Sequence, residues 1–198
     1  ALAKRDERVV ALTAAMPDGT GLSQFGKAFP SRCFDTGITE GNLVGIAAGM
    51  AKAGLRPVAA IYSTFTQRAF DQLWQEVALN HLPVVVCMDR AGFVGDDGAV
   101  HHGFMDQSFL RPIPGVVLMA PSDEAELSRS LSLAMSLDGP CAIRYPRDSV
   151  PARNFEDVID PDLQPAAAQA WQLGRGRLLR DGADATIIVY GALAQHAM

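Results

Sequence analysis

Short apolar runs alternate along the chain with longer stretches in which apolar residues recur at helical spacing. Several of the short runs are nearly continuous in Val, Ile and Ala, which is typical of strands that are covered on both faces. They predict strands at residues 8–13, 32–34, 57–61, 83–88, 116–120 and 141–145, and a further strand at 185–190.

Helices are predicted between these runs. Residues 40–53 are rich in Ala, Gly and aliphatic side chains and indicate a buried helix, while residues 67–79 carry an apolar stripe of Phe70, Leu73, Trp74 and Val77. Ser122 is predicted to cap a helix that runs from residue 124 to about residue 137. Because strands that alternate with helices are joined by right-handed crossovers, the pattern predicts an α/β fold, a mostly parallel sheet with helices on both faces.

Two regions interrupt this alternation. Residues 91–114 are glycine-rich and lack periodicity, and a loop of that length inside a domain is usually functional or disordered. Residues 151–182, which include Pro161 and Pro165, are predicted to link a domain at 1–150 to the start of a second α/β unit at 183–198. A single strand and helix cannot bury their own apolar faces, so we expect the chain to be part of a longer protein.

Composition narrows the class of protein. The 198 residues are 48% hydrophobic and 20% charged, as in a globular protein, and the net charge of −5 offers no electrostatic case for nucleic acid as a partner. No apolar run approaches the roughly 20 residues of a membrane helix, so no membrane partner is expected. Cys33, Cys87 and Cys141 are widely spaced among apolar neighbours, which predicts reduced, buried thiols in a cytoplasmic protein.

Polar side chains follow several of the predicted strands. Ligands of open α/β sheets bind beyond the carboxyl ends of the strands, and arginine binds phosphate and carboxylate groups bidentately. The pattern therefore predicts a site for a phosphorylated or carboxylated small molecule. Its candidate residues are Asp35, Gly37, Glu40, Tyr62, Ser63, Thr64, Phe65, Arg68, Asp89, Arg90, Asp97, His101, Pro146 and Arg147.

Structural explanations exist for each candidate taken singly. Glu40 also suits a helix N-terminus, where the helix dipole stabilises a negative charge, and the aromatic and arginine residues also suit packing and surface ion pairs. His101 and His102 have no partner at metal-ligand spacing, so no metal site is predicted in this chain. Gly19 and Gly21 fail the G-x-G-x-x-G spacing, which argues against a nicotinamide site.

Several motifs in fixed order resemble transketolase-like thiamine-diphosphate enzymes. Residues 34–40, Phe-Asp-Thr-Gly-Ile-Thr-Glu, are similar to the segment that carries their glutamate. Residues 60–65 (Ala-Ile-Tyr-Ser-Thr-Phe), 89–92 (Asp-Arg-Ala-Gly) and 144–147 (Arg-Tyr-Pro-Arg) are similar to deoxyxylulose-phosphate synthases in particular. The similarity extends from about residue 8 to residue 148.

The resemblance implies a domain that binds the aminopyrimidine ring of thiamine diphosphate. Glu40 is then expected to hydrogen-bond the N1′ atom of the ring, with Phe65 stacked on the ring and Ile38 also in contact with the cofactor. Asp97 and His101 are expected to contact substrate oxygens and to help move protons. The substrate-binding residues implied are Tyr62, Arg68, Arg90 and Arg147.

The resemblance also implies an activity for the complete enzyme. Such enzymes are transferases of isoprenoid-precursor and thiamine synthesis that condense pyruvate, with decarboxylation, and glyceraldehyde 3-phosphate, and we expect a homodimer. They hold the diphosphate and Mg²⁺ on a separate domain through a Gly-Asp-Gly motif, which does not occur in these 198 residues. The isolated chain is therefore expected to be inactive.

One departure from the family leaves alternatives open. The family usually continues its glutamate as Glu-Gln-His, whereas this chain has Glu40-Gly41-Asn42. A transketolase-like or oxoacid-dehydrogenase-β-like enzyme with another donor is the first alternative. A non-catalytic module of the same fold is the second, although the retained Glu40 and Phe65 argue against it.

Overall fold

The computed structural model describes residues 1–149 and 173–198. Six parallel strands form one sheet in the order β2-β1-β3-β4-β6-β5. The strands are β1 Val9–Thr13, β2 Cys33–Asp35, β3 Arg56–Tyr62, β4 Val85–Asp89, β5 Val117–Met119 and β6 Cys141–Arg144. The first six predicted strands are therefore present, and the predicted α/β fold is confirmed.

Helices and helical turns connect the strands. The α-helices are α1 Leu2–Arg5, α2 Leu22–Ala28, α3 Glu40–Lys52, α4 Ser63–Thr66, α5 Phe70–Gln72, α6 Asp106–Leu110, α7 Glu124–Ser136 and α8 Ala194–Ala197. A π-helical segment, Leu73–Ala78, follows α5, and 3₁₀ turns form at Pro30–Arg32, Gln67–Ala69, Gly95–Asp97, Ala99–His101 and Gly191–Leu193. The helix predicted at residues 67–79 is thus a mixed helical segment that begins earlier, at Ser63.

The core lies on both faces of the sheet because successive strand residues point to opposite sides. In β4, Val86 and Met88 pack with α3 and the helical segment 63–78, whereas Val85 and Cys87 pack with α7 on the other face. Burial of such a side chain stabilises the fold by about 1.5–3 kcal/mol. Helices on both faces therefore explain why β4 shows no polar alternation.

The start of α7 corrects one sequence prediction. Asp123, not Ser122, is the N-cap residue: its side chain accepts a hydrogen bond of 2.8 Å from the N–H of Glu126. Ser122 instead donates its backbone N–H and its hydroxyl to the Glu126 carboxylate, at 2.9 and 2.6 Å. The predicted cap was one residue early because both residue types can cap a helix, and the backbone geometry selects between them.

The glycine-rich stretch 91–114 is more regular than its sequence suggests. The backbones of Gly92 and Gly103 exchange two hydrogen bonds of 3.0 and 2.7 Å, which close residues 93–102 into a loop. Helix α6 follows, and it buries Leu110 in the core. With five residues, α6 is too short for apolar periodicity to reveal it.

The strand predicted at residues 185–190 is absent, and that prediction was wrong. Ile187 and Ile188 are exposed, and within residues 1–149 and 173–198 no strand lies beside them to complete their backbone hydrogen bonds. Tyr190 instead exchanges side-chain hydrogen bonds with Gln107 of α6. Most of the predicted linker, residues 151–172, lies outside the described residues.

Candidate functional site

The site candidates lie at the carboxyl ends of the strands. Tyr62, the last residue of β3, is the register partner of Asp89, the last residue of β4. Glu40 begins α3 shortly after β2, and Arg147 follows the end of β6 by three residues. The parallel sheet thus brings to one edge residues that are separated by more than 100 positions in the sequence.

Glu40 is a buried carboxylate with one cationic partner. The residue is 4% exposed, and its Oε1 atom accepts a hydrogen bond of 2.7 Å from Nη1 of Arg68. The Arg68 side chain is 54% exposed, so it remains accessible to solvent in spite of this pairing. The helix dipole at the start of α3 also stabilises the negative charge of Glu40.

Two aromatic rings continue the site from Arg68 to Arg90. The ring centroids of Tyr62 and Phe65 lie 5.8 Å apart in a stacked arrangement. The Arg68 guanidinium lies over the Phe65 ring, 4.9 Å from its centroid, and the Arg90 guanidinium lies 3.7 Å from the Tyr62 centroid. His101 meets both rings edge-on, at 5.6 Å from Phe65 and 6.4 Å from Tyr62. Cation–π attraction therefore adds to the packing of this cluster.

Asp97 pairs with both Arg90 and Arg147. Its Oδ2 atom accepts a hydrogen bond of 2.9 Å from Nε of Arg90, and its Oδ1 atom accepts one from Nη1 of Arg147. Desolvation alone raises the pKa of Asp97, but the hydrogen bond from Arg90 and the positive charges of Arg147 and Arg90 outweigh it, and the pKa is lowered. Asp97 is therefore an anion between two guanidinium groups.

Arg90 adopts an unusual backbone conformation. Its φ of 62° lies in the left-handed region, which non-glycine residues seldom occupy. The Asp89 side chain accepts a hydrogen bond of 2.6 Å from the Arg90 N–H and pairs with Nη1 at 3.0 Å, which supports this conformation. Burial raises the pKa of Asp89 in spite of its pairing with Arg90. Such strain is common at functional sites.

The orientation of His101 is set by the loop that carries it. Its Nδ1 atom lies 2.7 Å from the carbonyl oxygen of Asp97. Because a carbonyl oxygen only accepts hydrogen bonds, we assign the ring proton to Nδ1. In the neutral ring, Nε2 then carries the lone pair that can accept a proton.

Gly19 contributes to the site because its backbone lies close to the side chain of Tyr62. A Cβ atom at this position would overlap the hydroxyl of Tyr62, so only glycine allows the loop after β1 to lie against the ring. Sequence reasoning considered Gly19 only as a failed dinucleotide motif. Its position after the end of a strand was the available signal.

Asp106 is a buried residue next to the site that the sequence analysis missed. Its Oδ2 atom accepts hydrogen bonds from the hydroxyl of Ser63, which was a candidate, and from Nε of Arg144. Asp106 lies in the stretch that the sequence left without elements, so no motif singled it out. An acid that opens a helix among apolar residues was the signal that could have found it.

Ile38 differs from the other candidates because it is 76% exposed on the segment before α3. A cavity of about 380 Å³ lies between α4 and α6. It is lined by Ser63, Thr64, Gln67, Ala99, Val100, His102, Phe104, Met105, Asp106 and Phe109. Of the candidates, only Ser63 and Thr64 line this cavity, so it adjoins the site formed by the others.

The three cysteines are free thiols. Cys87 and Cys141 are buried as predicted, and burial raises their pKa values to about 12 and about 11. Cys33 is partly exposed, so the prediction that it is buried was wrong; it lies on the edge strand β2, which has a neighbour on one side only.

Two negative findings hold for residues 1–149 and 173–198. In that part of the chain, no cluster of three or more His, Cys, Asp or Glu side chains could hold a metal ion. None of its helices is long and apolar enough to cross a membrane.

Comparison with known proteins places this geometry in a family. Residues 1–153 match the family described as transketolase, pyrimidine binding domain. The 1-deoxy-D-xylulose-5-phosphate synthase of Heliobacterium modesticaldum is 50% identical over 192 residues, which are 97% of this chain and 28% of that protein. The synthase 1 of Geobacter sulfurreducens is 51% identical over 190 residues, 96% of this chain and 28% of that protein. The chain thus spans less than a third of the length of these relatives.

Solved structures agree with this match. The inactive β4 tetramer of a split-gene transketolase has a TM-score of 0.74 and 32% identity, over 91% of this chain and 55% of that chain. The transketolase of Campylobacter jejuni, at 22% identity and a TM-score of 0.70 over 77% of this chain and 25% of that chain, shares the fold. With residues 1–153 matched, the chain belongs to the transketolase pyrimidine-binding domain family.

Proposed function

We propose that this chain is part of a thiamine-diphosphate-dependent 1-deoxy-D-xylulose-5-phosphate synthase. The complete enzyme joins two carbons of pyruvate, with loss of carbon dioxide, to glyceraldehyde 3-phosphate. The observation that carries the proposal is the pairing of the buried Glu40 carboxylate with Arg68, which also lies over the Phe65 ring. One guanidinium thus brings together the acid and the aromatic ring that an aminopyrimidine requires.

The residues at this edge fit an aminopyrimidine ring. Such a ring is planar and carries a weakly basic nitrogen, so it needs a flat apolar partner and a carboxyl group shielded from water. Phe65 offers the first and the buried Glu40 the second. We propose that both hold the cofactor and that Ile38, whose side chain is exposed, contacts it as well.

When bound, thiamine diphosphate supplies the nucleophilic carbon and the electron sink for decarboxylation. The contribution of Glu40 is to hold a proton at N1′ of the pyrimidine. Arg68 keeps the carboxylate of Glu40 oriented through its hydrogen bond of 2.7 Å. Its side chain is half-exposed and therefore accessible to a substrate carboxylate, so Arg68 stays a proposed substrate-binding residue.

The phosphate of the acceptor is proposed to bind Arg90 and Arg147 beside Tyr62. Both arginines already converge on Asp97, so their guanidinium groups are oriented toward a single anion. Charge-assisted hydrogen bonds of this kind suit phosphate oxygens. The stacking of Arg90 on Tyr62 limits its rotation, which reduces the entropy lost on binding.

His101 and Asp97 are proposed to handle protons and substrate oxygens. The Nε2 lone pair of His101 is suited to accept a proton from a substrate hydroxyl or to return one, because Nδ1 donates to the Asp97 carbonyl. Asp97 remains anionic between its two arginines and accepts hydrogen bonds from donor or acceptor hydroxyls.

The diphosphate and Mg²⁺ are proposed to bind another part of the complete protein. This chain has no Gly-Asp-Gly motif, and in isolation we propose that it is inactive. A split-gene transketolase chain of related fold is described as an inactive β4 tetramer, which supports this view. We further propose that the complete protein is cytoplasmic, which the free thiols support. We also propose that it is a homodimer, which the exposed apolar side chains of Ile46 and Phe70 support.

Assay of the complete protein tests the proposal. With thiamine diphosphate, Mg²⁺, pyruvate and glyceraldehyde 3-phosphate, we expect release of carbon dioxide and formation of a 1-deoxyketose phosphate. A ketose phosphate donor in place of pyruvate is the matched comparison. If carbon dioxide is not released while the ketose donor reacts, the synthase assignment is wrong.

One observation favours a second candidate, a transketolase-like enzyme with another donor. Gly41 lies against the side chain of Gln72, and a Cβ atom at Gly41 would come within 2.9 Å of its Oε1 atom. Gln72 thus occupies space beside α3 where the family usually has a larger side chain. The comparison of pyruvate with a ketose phosphate donor separates the two candidates.

A further inference from the structure

Asp106 is the most enclosed carboxylate near the site. Its side chain is 0% exposed, and its Oδ2 atom accepts hydrogen bonds of 2.9 Å from Nε of Arg144 and 3.0 Å from the hydroxyl of Ser63. Its Oδ1 atom accepts a hydrogen bond of 2.7 Å from the N–H of Gln107. Arg144 and Gln107 both donate N–H groups to this carboxylate, so its surroundings suit a negatively charged group.

These partners belong to segments that carry the proposed site residues. Ser63 directly follows Tyr62 and precedes Phe65 by two positions, and Arg144 precedes Arg147 by three. Ser63 Oγ also lies 3.1 Å from the carbonyl oxygen of Gly103, which closes the loop bearing Asp97 and His101. One carboxylate therefore connects three segments of the site.

Because Asp106 and Arg144 are both largely buried, their ion pair is shielded from water. Arg144 is 14% exposed, and loss of the Asp106 charge would leave its guanidinium without its anionic partner. Ser63 has a single hydroxyl proton and two acceptors, so it can satisfy Gly103 or Asp106 but not both fully. A Cβ atom at Gly103 would overlap both the Ser63 hydroxyl and the Arg90 carbonyl, which shows how closely these segments approach.

The segments differ in how firmly other contacts hold them. Helix α4 continues into residues whose side chains are buried against α3, among them Thr66, Ala69 and Leu73. Half of the residues in the loop 93–102 are exposed, and the paired glycines Gly92 and Gly103 close it. Loss of the Asp106 anion should therefore displace the loop and Arg147 more than it displaces Phe65 or Glu40.

We propose that Asp106 is a positioning residue that holds the acceptor-binding half of the site, Asp97, His101 and Arg147, in register with Tyr62. The inference rests on the proposed function for its catalytic consequence. Its structural consequence, restraint of the loop 93–102, does not depend on the reaction. Two independent measurements therefore test it.

The first measurement is steady-state kinetics on the complete enzyme with Asp106→Asn, which keeps the size of the side chain but removes its charge. We expect KM for glyceraldehyde 3-phosphate to rise about 10- to 100-fold, as for misplacement of a binding group by about 1 Å. The dissociation constant of thiamine diphosphate should stay within about twofold, since α3 is not attached to Asp106. Ser63→Ala, a milder change, should raise the same KM to a smaller extent.

The matched control is Glu126→Gln. Glu126 is also a buried carboxylate that bonds a serine and an arginine, Ser122 and Arg177, but these lie on segments without a proposed site residue. The Glu126→Gln variant should lower the melting temperature and leave KM for glyceraldehyde 3-phosphate unchanged. If Asp106→Asn behaves like Glu126→Gln, or raises KM and the cofactor dissociation constant together, Asp106 is a structural residue only.

The second measurement is amide hydrogen exchange. In Asp106→Asn and Ser63→Ala, the amides of Gly92 and Gly103 should exchange about tenfold faster, whereas those of α3 should not change. This result would support the inference even if the complete enzyme used another donor than pyruvate. Unchanged exchange at both glycines in both variants would overturn it, whatever the reaction.

Discussion

The Nη1 atom of Arg68 lies 2.7 Å from the Oε1 atom of Glu40, so a half-exposed guanidinium is the cationic partner of a buried carboxylate. The two residues are 28 positions apart in the sequence. Because Arg68 also covers the Phe65 ring, the acid and the aromatic surface proposed for the cofactor form one unit.

Glu40→Gln in the complete enzyme should reduce kcat by about 100-fold or more, because an amide cannot exchange the proton held at the pyrimidine nitrogen. The similar size of glutamine should preserve the fold. Arg68→Met, which keeps Glu40 but removes its partner, should cause a smaller loss. Steady-state kinetics with circular dichroism as a folding control test this, and activity within twofold of the parent for Glu40→Gln would contradict it.

Phe65→Leu should weaken thiamine diphosphate binding by about twofold to twelvefold, since aromatic stacking adds about 0.5–1.5 kcal/mol beyond apolar burial. Phe70→Leu is the matched control. Phe70 lies on the same helical segment, but its ring meets Phe109 edge-on at 6.1 Å instead of stacking on Tyr62 as Phe65 does. Calorimetric titration of the complete protein with cofactor and Mg²⁺ should distinguish the two variants; equal effects would argue against a role for Phe65 in stacking.

Arg147→Met should raise KM for glyceraldehyde 3-phosphate by about 10- to 100-fold, as expected for loss of a charge-assisted hydrogen bond. Arg90→Met should do the same and also lower stability, because Arg90 is packed over Tyr62 and paired with the partly buried Asp89. Arg111→Met, an exposed arginine after α6, is the control. Steady-state kinetics in which the acceptor concentration is varied test this prediction, and an unchanged KM in Arg147→Met would remove that arginine from the phosphate site.

The pairing of Asp97 predicts a pH dependence. Its pKa is lowered below the ordinary 3.8 in the folded protein, because the interactions with Arg90 and Arg147 outweigh desolvation. The resulting stability is present above pH 3.8 and is lost as the pH falls through the folded-state pKa. The free energy of unfolding should therefore fall less steeply on acidification in Asp97→Asn than in the parent.

Asp89→Asn provides the opposite comparison, because burial raises the pKa of Asp89. A raised folded-state pKa makes ionisation of Asp89 a cost to stability as the pH rises past 3.8. In Asp89→Asn this cost is absent, so the free energy of unfolding should fall more steeply on acidification than in the parent. Urea unfolding between pH 3 and 7 measures both variants, and identical slopes in the two would contradict the assignment.

The thiols should react in a defined order. Burial raises the pKa of all three thiols, but Cys33 is partly exposed, whereas the buried Cys87 and Cys141 have pKa values of about 12 and about 11. Iodoacetamide at pH 8 should label Cys33 first, and the other two only after urea unfolds the chain. Mass spectrometry of the labelled peptides reads out the order; labelling of Cys87 as fast as Cys33 would be inconsistent with a buried β4.

The amino-acid sequence alone determined the sheet, because six apolar runs predict its strands and those of β1, β3, β4 and β6 bury most of their side chains. The seventh run, at 185–190, shows the limit of this argument: a strand requires a neighbour to receive its hydrogen bonds, and apolar content does not supply one. The same limit explains why α6, which has only five residues, escaped notice.

For the site, the sequence indicated which side chains follow the strand ends, since parallel strands end at one edge. Only the tertiary structure decided which of them pair. Glu40 with Arg68, Asp97 with both Arg90 and Arg147, and Asp106 with Ser63 and Arg144 are contacts between segments far apart in the chain. Their partners are set by the packing of loops and helix starts over the sheet, and no local spacing in the sequence encodes that packing.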